Sequence, residues 1–174
     1  MPMPRMSAHR ALLIIDAEPR FITPATRKAI PAIVRLLKRT RYPLYVVAEY
    51  TDRAPGKRSR KKTQWERTFG PLHQSEETVP EIAAELADRP VLKIAKSTRS
   101  LFGSDDKLAR QLRRRGVREV HIVGLETHDC ILATALDAFD HEFKTRVLVA
   151  ACASKHIRQH RAACAILKNA KLTA

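Results

Sequence analysis

Long apolar runs, closely spaced cysteines and aromatic side chains are all scarce in this sequence of 174 residues. No apolar run approaches the roughly 20 residues that a membrane-spanning helix needs. The first residues, MPMPRMSAHR, contain no apolar stretch typical of a secretion signal. These absences predict a cytoplasmic protein without a membrane partner. With 44% hydrophobic residues the chain can bury a sizeable core, and its length fits one domain spanning residues 1–174.

The three cysteines are Cys130, Cys152 and Cys164, and none of them belongs to a C-x-x-C pair. An odd number without close pairing argues against a disulfide framework and against a zinc knuckle. Each cysteine therefore has to be judged by its own position in the fold.

Acidic residues are also few, since 18 Asp and Glu stand against 33 Lys and Arg and give a formal charge of +15. The basic residues concentrate at 53–62 and 113–115. Such a charge attracts anions, whether acidic small molecules, phosphate groups or nucleic acid. Aromatic residues are only 5% of the chain and are not interleaved with the basic ones, which favours a solvated surface. Nucleic-acid binding remains the alternative.

Short apolar runs alternate along the chain with segments of helical periodicity. Without an internal repeat, this alternation predicts an α/β fold: a three-layer, doubly wound, mostly parallel sheet of five to six strands with helices on both faces. A polar, basic segment at about 51–67 is predicted to be a loop or lid. The predicted strands are 11–16, 43–50, 90–95, 117–124 and 145–151, with a stub at 171–174, and the predicted helices are 27–41, 79–87, 105–116, 129–142 and 156–170.

The helix at 105–116 has the clearest boundary signals. Ser104 is the expected N-cap, acids follow in the first turn, arginines fill the last turn, and Gly116 ends it. This charge order matches the helix dipole.

Three reactive groups are predicted to meet at the carboxyl edge of the sheet, where ligands bind in such folds. Asp16 follows the first strand, Lys96 follows the third, and Cys130 lies in the first helical turn after the fourth. A helix N-terminus and a nearby ammonium favour the thiolate form of a cysteine, and a carboxylate can take its proton. Each residue alone also fits a structural role: a core cysteine, a capping Asp, a solvated Lys. The residues by themselves leave both interpretations open.

Three motifs resemble those of the isochorismatase-like cysteine hydrolases, which include nicotinamidases, N-carbamoylsarcosine amidase-like enzymes and ureidoacrylate or biuret amidohydrolases. ALLIIDAEPRF is similar to the family's opening strand with its Asp and Phe, here Asp16 and Phe21. KSTRSLF keeps the interval between a lysine and a Phe, here Lys96 and Phe102. GLETHDCILATALDAF is the most specific match, with these residues in register: Gly124, Thr127, Cys130, Thr134, Ala135, Asp137 and Ala138.

The resemblance implies an isochorismatase-like, Rossmann-like fold and a catalytic triad of Asp16, Lys96 and Cys130. It also implies a cis peptide bond between Leu125 and Glu126, and an oxyanion hole formed by the backbone N–H groups of Glu126 and Cys130. The implied chemistry is hydrolysis of a small carboxamide or ureido substrate through a thioester on the cysteine. Homodimers or homotetramers are common in the family, so a homo-oligomer is expected.

Departures from the family pattern narrow the expected activity. Nicotinamidases bind a metal through Asp-x-His after the second strand, and the corresponding residues here are Asp52, Arg53 and Ala54. Without that histidine no metal or other cofactor is expected, although His73 could be a remnant ligand. Glu18-Pro19-Arg20 replaces a Gln-x-Asp and changes the pocket. Relatives that cleave a vinyl ether, some of which lack the cysteine, and non-catalytic members are the alternatives.

Several side chains are expected to contact the substrate. Arg20, Arg53 or Arg99 could bind a substrate carboxylate, although arginines that simply face water are an equal alternative. The expected substrate-contacting residues are Phe21, Trp65, Phe102, His128 and Asp129.

Overall fold

The structure is a computed structural model that describes residues 9–51 and 77–174. Five strands alternate with helices along these residues. The strands are β1 (Arg10–Ile15), β2 (Leu44–Tyr50), β3 (Val91–Lys96), β4 (Glu119–Leu125) and β5 (Lys144–Ala153). The helices are α1 (Ala29–Arg39), α2 (Pro80–Leu86), α3 (Leu101–Ser104), α4 (Leu108–Arg114), α5 (Leu132–Asp140) and α6 (Ile157–Asn169), with a 3-10 turn at Pro19–Phe21 and a π-helical turn at Thr127–Ile131.

All neighbouring strands in the sheet are parallel, and their order is β3-β2-β1-β4-β5. Central strands are buried on both faces, which explains why β1 reads as a continuous apolar run and not as an alternating one. Thr173 forms an isolated parallel bridge with Val147, so the expected sixth strand is a single bridge. The predicted doubly wound α/β fold is confirmed.

Alternate residues of the strands face two separate hydrophobic cores. Leu12 and Ile14 of β1 pack with α1 and α2 on one face, whereas Leu13 and Ile15 pack with α3 to α6 on the other. The helices therefore form two layers around the sheet. This arrangement leaves the carboxyl ends of β1, β3 and β4 as the edge where loops converge.

The predicted helix after β3 differs from the observed one at its start. Ser104 ends the short helix α3, and α4 begins only at Leu108. The Ser104 hydroxyl accepts hydrogen bonds from the backbone N–H groups of Ser97 and Thr98, both at 3.1 Å, and so fixes the loop after β3. The N-cap prediction for Ser104 is wrong because a tertiary loop contact takes this hydroxyl. The predicted end is correct, since Gly116 follows α4 with φ 79°.

Gly124 lets β4 approach β1 closely beside Asp16. A Cβ atom on Gly124 would lie 2.1 Å from the carbonyl oxygen of Ile15, and the glycine has φ 122°. Both features exclude a larger residue. Asp16, the residue after β1, has φ 50°. This value is uncommon outside glycine and marks the turn where the strand ends.

Within residues 9–51 and 77–174, no helix has the length and apolarity needed to cross a membrane. The predicted lid at 51–67 lies, apart from Thr51, outside the described residues.

Candidate active site

Asp16, Lys96 and Cys130 come together at the carboxyl edge of the sheet, although 114 positions separate the first from the last. The Lys96 ammonium donates to Asp16 Oδ2 at 2.9 Å and lies 3.2 Å from Cys130 Sγ. The exposed fractions of the three residues are 1%, 0% and 8%. Because Lys96 contacts both partners, a buried cation bridges a carboxyl group and a thiol.

Each of the three residues is fixed by a different element. Asp16 follows β1, and its N–H donates to the Ala48 carbonyl of β2 at 3.1 Å. Lys96 is the last residue of β3, and Cys130 is the fourth residue of the π-helical turn after β4. The peptide bond between Leu125 and Glu126 is cis, at the place where the sequence resemblance implies one.

Two threonines of the GLETHDCILATALDAF motif form hydrogen bonds that hold the elements around this site together. The buried Thr127 hydroxyl lies 3.0 Å from His160 Nδ1, which links the π-helical turn to α6. The Thr134 hydroxyl accepts from the N–H of Leu101 at 3.1 Å, which links α5 to the loop after β3. The first bond ties the turn that carries Cys130 to α6, and the second ties α5 to the start of α3.

Burial controls the ionisation of the cluster. Burial raises the pKa of the Cys130 thiol well above its usual value, the Asp16 charge raises it further, and the Lys96 ammonium only partly opposes both. Burial also raises the pKa of Asp16, against the effect of Lys96. Burial would lower the pKa of Lys96, but the charges of Cys130 and Asp16 outweigh it, so its pKa is raised.

The Lys96 ammonium lowers the pKa of the Cys130 thiol, as expected, but burial and the Asp16 charge outweigh this effect. The thiol is too deeply buried for one neighbouring ammonium to ionise it. Ionisation then requires a base. Asp16 Oδ1 is buried and has no hydrogen-bond partner within the described part of the chain, so this oxygen retains the capacity to accept a proton.

Two further residues of this edge escaped the sequence analysis as site residues. Glu18 is fully buried, and its carboxyl oxygen Oε1 accepts a hydrogen bond from the backbone N–H of Tyr50. The Tyr50 ring centroid lies 5.6 Å from Lys96 Nζ. A Glu three residues after a strand reads as an exposed turn residue, so the sequence gives no signal of its burial.

Most of the expected substrate-contacting residues that the structure describes lie around the cluster. His128 and Asp129 flank the thiol: His128 Nδ1 lies 3.0 Å from Ser154 Oγ, and Asp129 Oδ1 lies 2.7 Å from Arg99 Nε. The Phe21 ring meets the Tyr50 ring edge-on at 6.1 Å. These residues surround the cluster.

Phe102 lies instead in a hydrophobic core. It is only 5% exposed, and its ring stacks on Phe143 with centroids 5.9 Å apart. Its role as a substrate contact stays a prediction. Of the arginines, Arg20 Nε lies 3.4 Å from Glu18 Oε2, so both Arg20 and Arg99 sit beside carboxyl groups of the chain itself.

Trp65, His73 and the Asp52-Arg53-Ala54 stretch lie outside the described residues. Among residues 9–51 and 77–174, no group of three His, Cys, Asp or Glu side chains could hold a metal ion. The fit of a metal at the family's position therefore depends on a segment whose sequence lacks the expected histidine.

The fold and this cluster define a doubly wound α/β protein with a cysteine, a lysine and an aspartate buried together at the carboxyl edge of its sheet. The chain belongs to the isochorismatase family, since the Isochorismatase domain model matches residues 10–174. Members of this family are hydrolases, so the chain has an isochorismatase-family hydrolase fold. No curated protein matches the sequence.

Solved structures share the fold at low sequence identity. An isochorismatase family protein from Desulfovibrio vulgaris superimposes with a TM-score of 0.77 at 22% identity, covering 95% of this chain and 92% of that one. The pyrazinamidase/nicotinamidase from Streptococcus mutans gives 0.76 at 22%, covering 94% and 98%. The nicotinamidase from Staphylococcus aureus gives 0.71 at 24%, covering 92% of each chain.

Proposed function

We propose that the protein is a metal-independent cysteine hydrolase that cleaves the C–N bond of a small carboxamide or ureide. One observation carries the proposal: the buried Lys96 ammonium contacts both Asp16 Oδ2 and Cys130 Sγ. A buried lysine, carboxylate and thiol are costly to keep together for stability alone. The nicotinamidases among the structural neighbours support hydrolysis of an amide bond.

The reaction begins with a neutral thiol. When substrate fills the site, Asp16 Oδ1 takes the thiol proton and Sγ attacks the carbonyl carbon. Lys96 stabilises the thiolate and holds the Asp16 carboxylate in place. The backbone N–H groups of Glu126 and Cys130 are the proposed donors to the oxyanion of the tetrahedral intermediate.

Collapse of that intermediate breaks the C–N bond. Asp16 returns its proton to the leaving nitrogen, which departs as ammonia or an amine, and a thioester remains on Cys130. Asp16 then takes a proton from water, the hydroxide attacks the thioester carbon, and the thiol regains the proton as the carboxylic product leaves.

Independence from metal rests on the sequence at Asp52-Arg53-Ala54, where relatives that bind a metal have Asp-x-His. No step of the mechanism above needs a Lewis acid, because Lys96 and the backbone donors supply the positive charge. Metal analysis of the purified protein, with activity measured after chelation, tests this part of the proposal. Loss of activity on chelation, restored by zinc or iron, would contradict it.

A panel of primary carboxamides, N-carbamoyl compounds and ureides, assayed by ammonia release, tests the reaction. We expect Cys130→Ala to lower the turnover of any substrate found by at least about a thousandfold. Cys164→Ala is the matched control, because this half-buried cysteine lies on α6 and contacts His160, not Asp16, Lys96 or Cys130. Covalent labelling by a slow substrate should appear on Cys130 by mass spectrometry. Full activity of Cys130→Ala would refute the proposal.

Polyanion binding is the second candidate function, favoured by one surface. The outward face of α4 carries Arg110, Arg113 and Arg114, all exposed, and this helix contains no acidic residue. Mobility shifts with DNA or RNA over a salt series test it, because a complex held by phosphate contacts weakens steeply with salt. Absence of a shift at low salt would exclude it.

A homo-oligomer also stays a proposal. Leu136 and Phe139, three residues apart on α5, are 41% and 59% exposed. Exposed apolar residues that lie close together mark association surfaces. Sedimentation equilibrium would show whether the protein is a dimer, a tetramer or a monomer.

A further inference from the structure

Glu18 holds the end of β2 from a buried position beside the active-site cluster. Its side chain leaves the chain two residues after Asp16 and is fully buried. Oε1 accepts the backbone N–H of Tyr50, the last residue of β2. Oε2 has no hydrogen-bond partner among the described residues, although Arg20 Nε lies 3.4 Å away.

Tyr50 connects Glu18 to Lys96. Tyr50 and Lys96 are paired in register across β2 and β3, and the backbone N–H of Thr51 donates to the Lys96 carbonyl at 2.7 Å. The Tyr50 ring lies 5.6 Å from the Lys96 ammonium and 5.7 Å from the Arg20 guanidinium. A shift of the Tyr50 backbone would therefore move a ring that contacts the cation of the cluster.

The charged groups around Glu18 come from three elements. Asp16 follows β1, Arg20 lies in the 3-10 turn, and Glu49 lies on β2. Burial raises the pKa of Glu18 to about 8; the Tyr50 N–H and Arg20 lower it, while the Asp16 and Glu49 charges raise it further. A protonated carboxyl group here can donate a hydrogen bond and still accept the Tyr50 N–H, as a neutral glutamine amide would.

We propose that Glu18 is a positioning residue of the hydrolase site, which fixes Tyr50 over the Lys96 ammonium by accepting the Tyr50 N–H, and that the ionisation of Glu18 inactivates the site. The statement that ionisation of Glu18 inactivates the site rests on the proposed function. A second buried negative charge beside Asp16 makes it harder to form the thiolate and the oxyanion. The active form therefore carries one buried carboxylate and one buried carboxylic acid.

Carbon-13 NMR of protein labelled at the glutamate carboxyl carbon tests the protonation of Glu18 directly and needs no substrate. Ordinary glutamates finish ionising by about pH 6. We expect one glutamate resonance to titrate above this pH in the wild type and in the matched control Glu49→Gln, and to be missing from Glu18→Gln. Completion of all glutamate titrations below about pH 6 would overturn the proposal.

The pH profile tests the consequence. Between about pH 7 and about pH 9, we expect wild-type kcat to fall about tenfold, as a single ionisation near pH 8 dictates. Glu49→Gln should keep the fall but shift it to slightly lower pH, because the Glu49 charge raises the pKa of Glu18. Glu18→Gln should lose most of it, since an amide keeps the acceptor for Tyr50 but does not ionise. An unchanged fall in Glu18→Gln would contradict the proposal.

Alkylation of Cys130 by iodoacetamide, followed by peptide mass spectrometry, separates this inference from the proposed function because it needs no turnover. At about pH 9 we expect Cys130 to react about threefold or more faster in Glu18→Gln than in the wild type, and at equal rates near pH 6. Tyr50→Leu keeps the backbone N–H but removes the ring, and should alter the Cys130 rate at both pH values. Equal profiles in all variants would refute the positioning role, whether or not an amide substrate is found.

Discussion

The two edges of the sheet use polar residues in opposite ways. At the carboxyl edge, Asp16, Glu18 and Lys96 are fully or almost fully buried, and Asp16 Oδ1 and Glu18 Oε2 have no hydrogen-bond partner in the described chain. At the amino edge, the Tyr42 hydroxyl lies 2.8 Å from His121 Nδ1, and His121 Nε2 lies 2.8 Å from Glu119 Oε1. One edge leaves buried carboxyl oxygens without a hydrogen bond, and the other joins most of its groups into a chain, although Arg10 Nε, 3.4 Å from Glu119 Oε1, also lacks a hydrogen bond within the described residues.

The amino-edge chain continues through Tyr45, whose hydroxyl accepts both the Tyr42 N–H and the Arg89 guanidinium at 2.9 Å. Paired polar groups of this kind stabilise a unique fold. Unpaired buried acceptors lower stability and persist where they have a chemical task. The same parallel strands therefore end in a hydrogen-bonded polar chain at one edge and in a buried Asp-Lys-Cys cluster at the other.

The largest contrast is expected from replacing one lysine at each edge by methionine. Lys96 and Lys144 make ion pairs of similar length, 2.9 Å to Asp16 and 3.1 Å to Glu119, but Lys96 is buried and the Lys144 side chain is 61% exposed. Lys96→Met leaves Asp16 as a buried group without its partner. We expect it to lower the free energy of unfolding by about 3 kcal/mol and hydrolysis by at least about a thousandfold.

Lys144→Met is the matched control. An exposed pair contributes little, so we expect the free energy of unfolding to change by less than about 1 kcal/mol, with hydrolysis retained. Urea unfolding of both variants measures this difference. Equal losses of stability would show that burial does not distinguish the two edges.

Two glycines give the next largest contrast. Gly124→Ala places a Cβ 2.1 Å from the Ile15 carbonyl oxygen at the carboxyl edge, and we expect it to cost about 3 kcal/mol or more. Gly116→Ala, before β4 at the amino edge, meets only His9 Nδ1 at 3.7 Å. Its positive φ of 79° should cost about 1 kcal/mol. Thermal unfolding compares the two, and a smaller loss for Gly124→Ala would contradict the close approach of β1 and β4.

The smallest contrast is the pH dependence of stability, which should have opposite signs at the two edges. The pKa of Glu18 rises from 4.5 to about 8 on folding, so between these values only the folded protein keeps the proton. Its contribution to stability is complete below about pH 4.5 and is lost as the pH rises to about 8. Burial lowers the pKa of His121 from 6.5, so below that value the unfolded chain binds a proton first, and stability is lost as the pH falls.

Urea unfolding between about pH 5 and about pH 8 measures both effects. We expect Glu18→Gln to remove a loss on the order of 2 kcal/mol on the alkaline side. His121→Gln should remove a loss of under about 1 kcal/mol on the acid side, because His121 is only half-buried. If a variant kept the wild-type losses of stability on both the acid and the alkaline side, the residue that it replaces would not be the titrating group.

The strands and most helices could be predicted because local patterns encode them. The run ALLII predicts a strand buried on both faces, and Gly116 predicts the end of α4. The start of α4 could not be predicted, because the Ser104 hydroxyl accepts N–H groups of Ser97 and Thr98, which come close only when the loop after β3 folds back. Phe102 fitted a family motif, but its ring lies in a core against Phe143.

The sequence by itself determined the order of strands and helices, and therefore that Asp16 follows the first strand, Lys96 ends the third and Cys130 lies in the turn after the fourth. Parallel topology then requires these ends to share one edge. Only the tertiary structure decided how deeply the three are buried, that burial raises the pKa of the Cys130 thiol, and that Glu18 faces inward onto Tyr50. The physical reason is that periodicity reports which face a residue is on, whereas desolvation and hydrogen bonding depend on neighbours that are distant in the sequence.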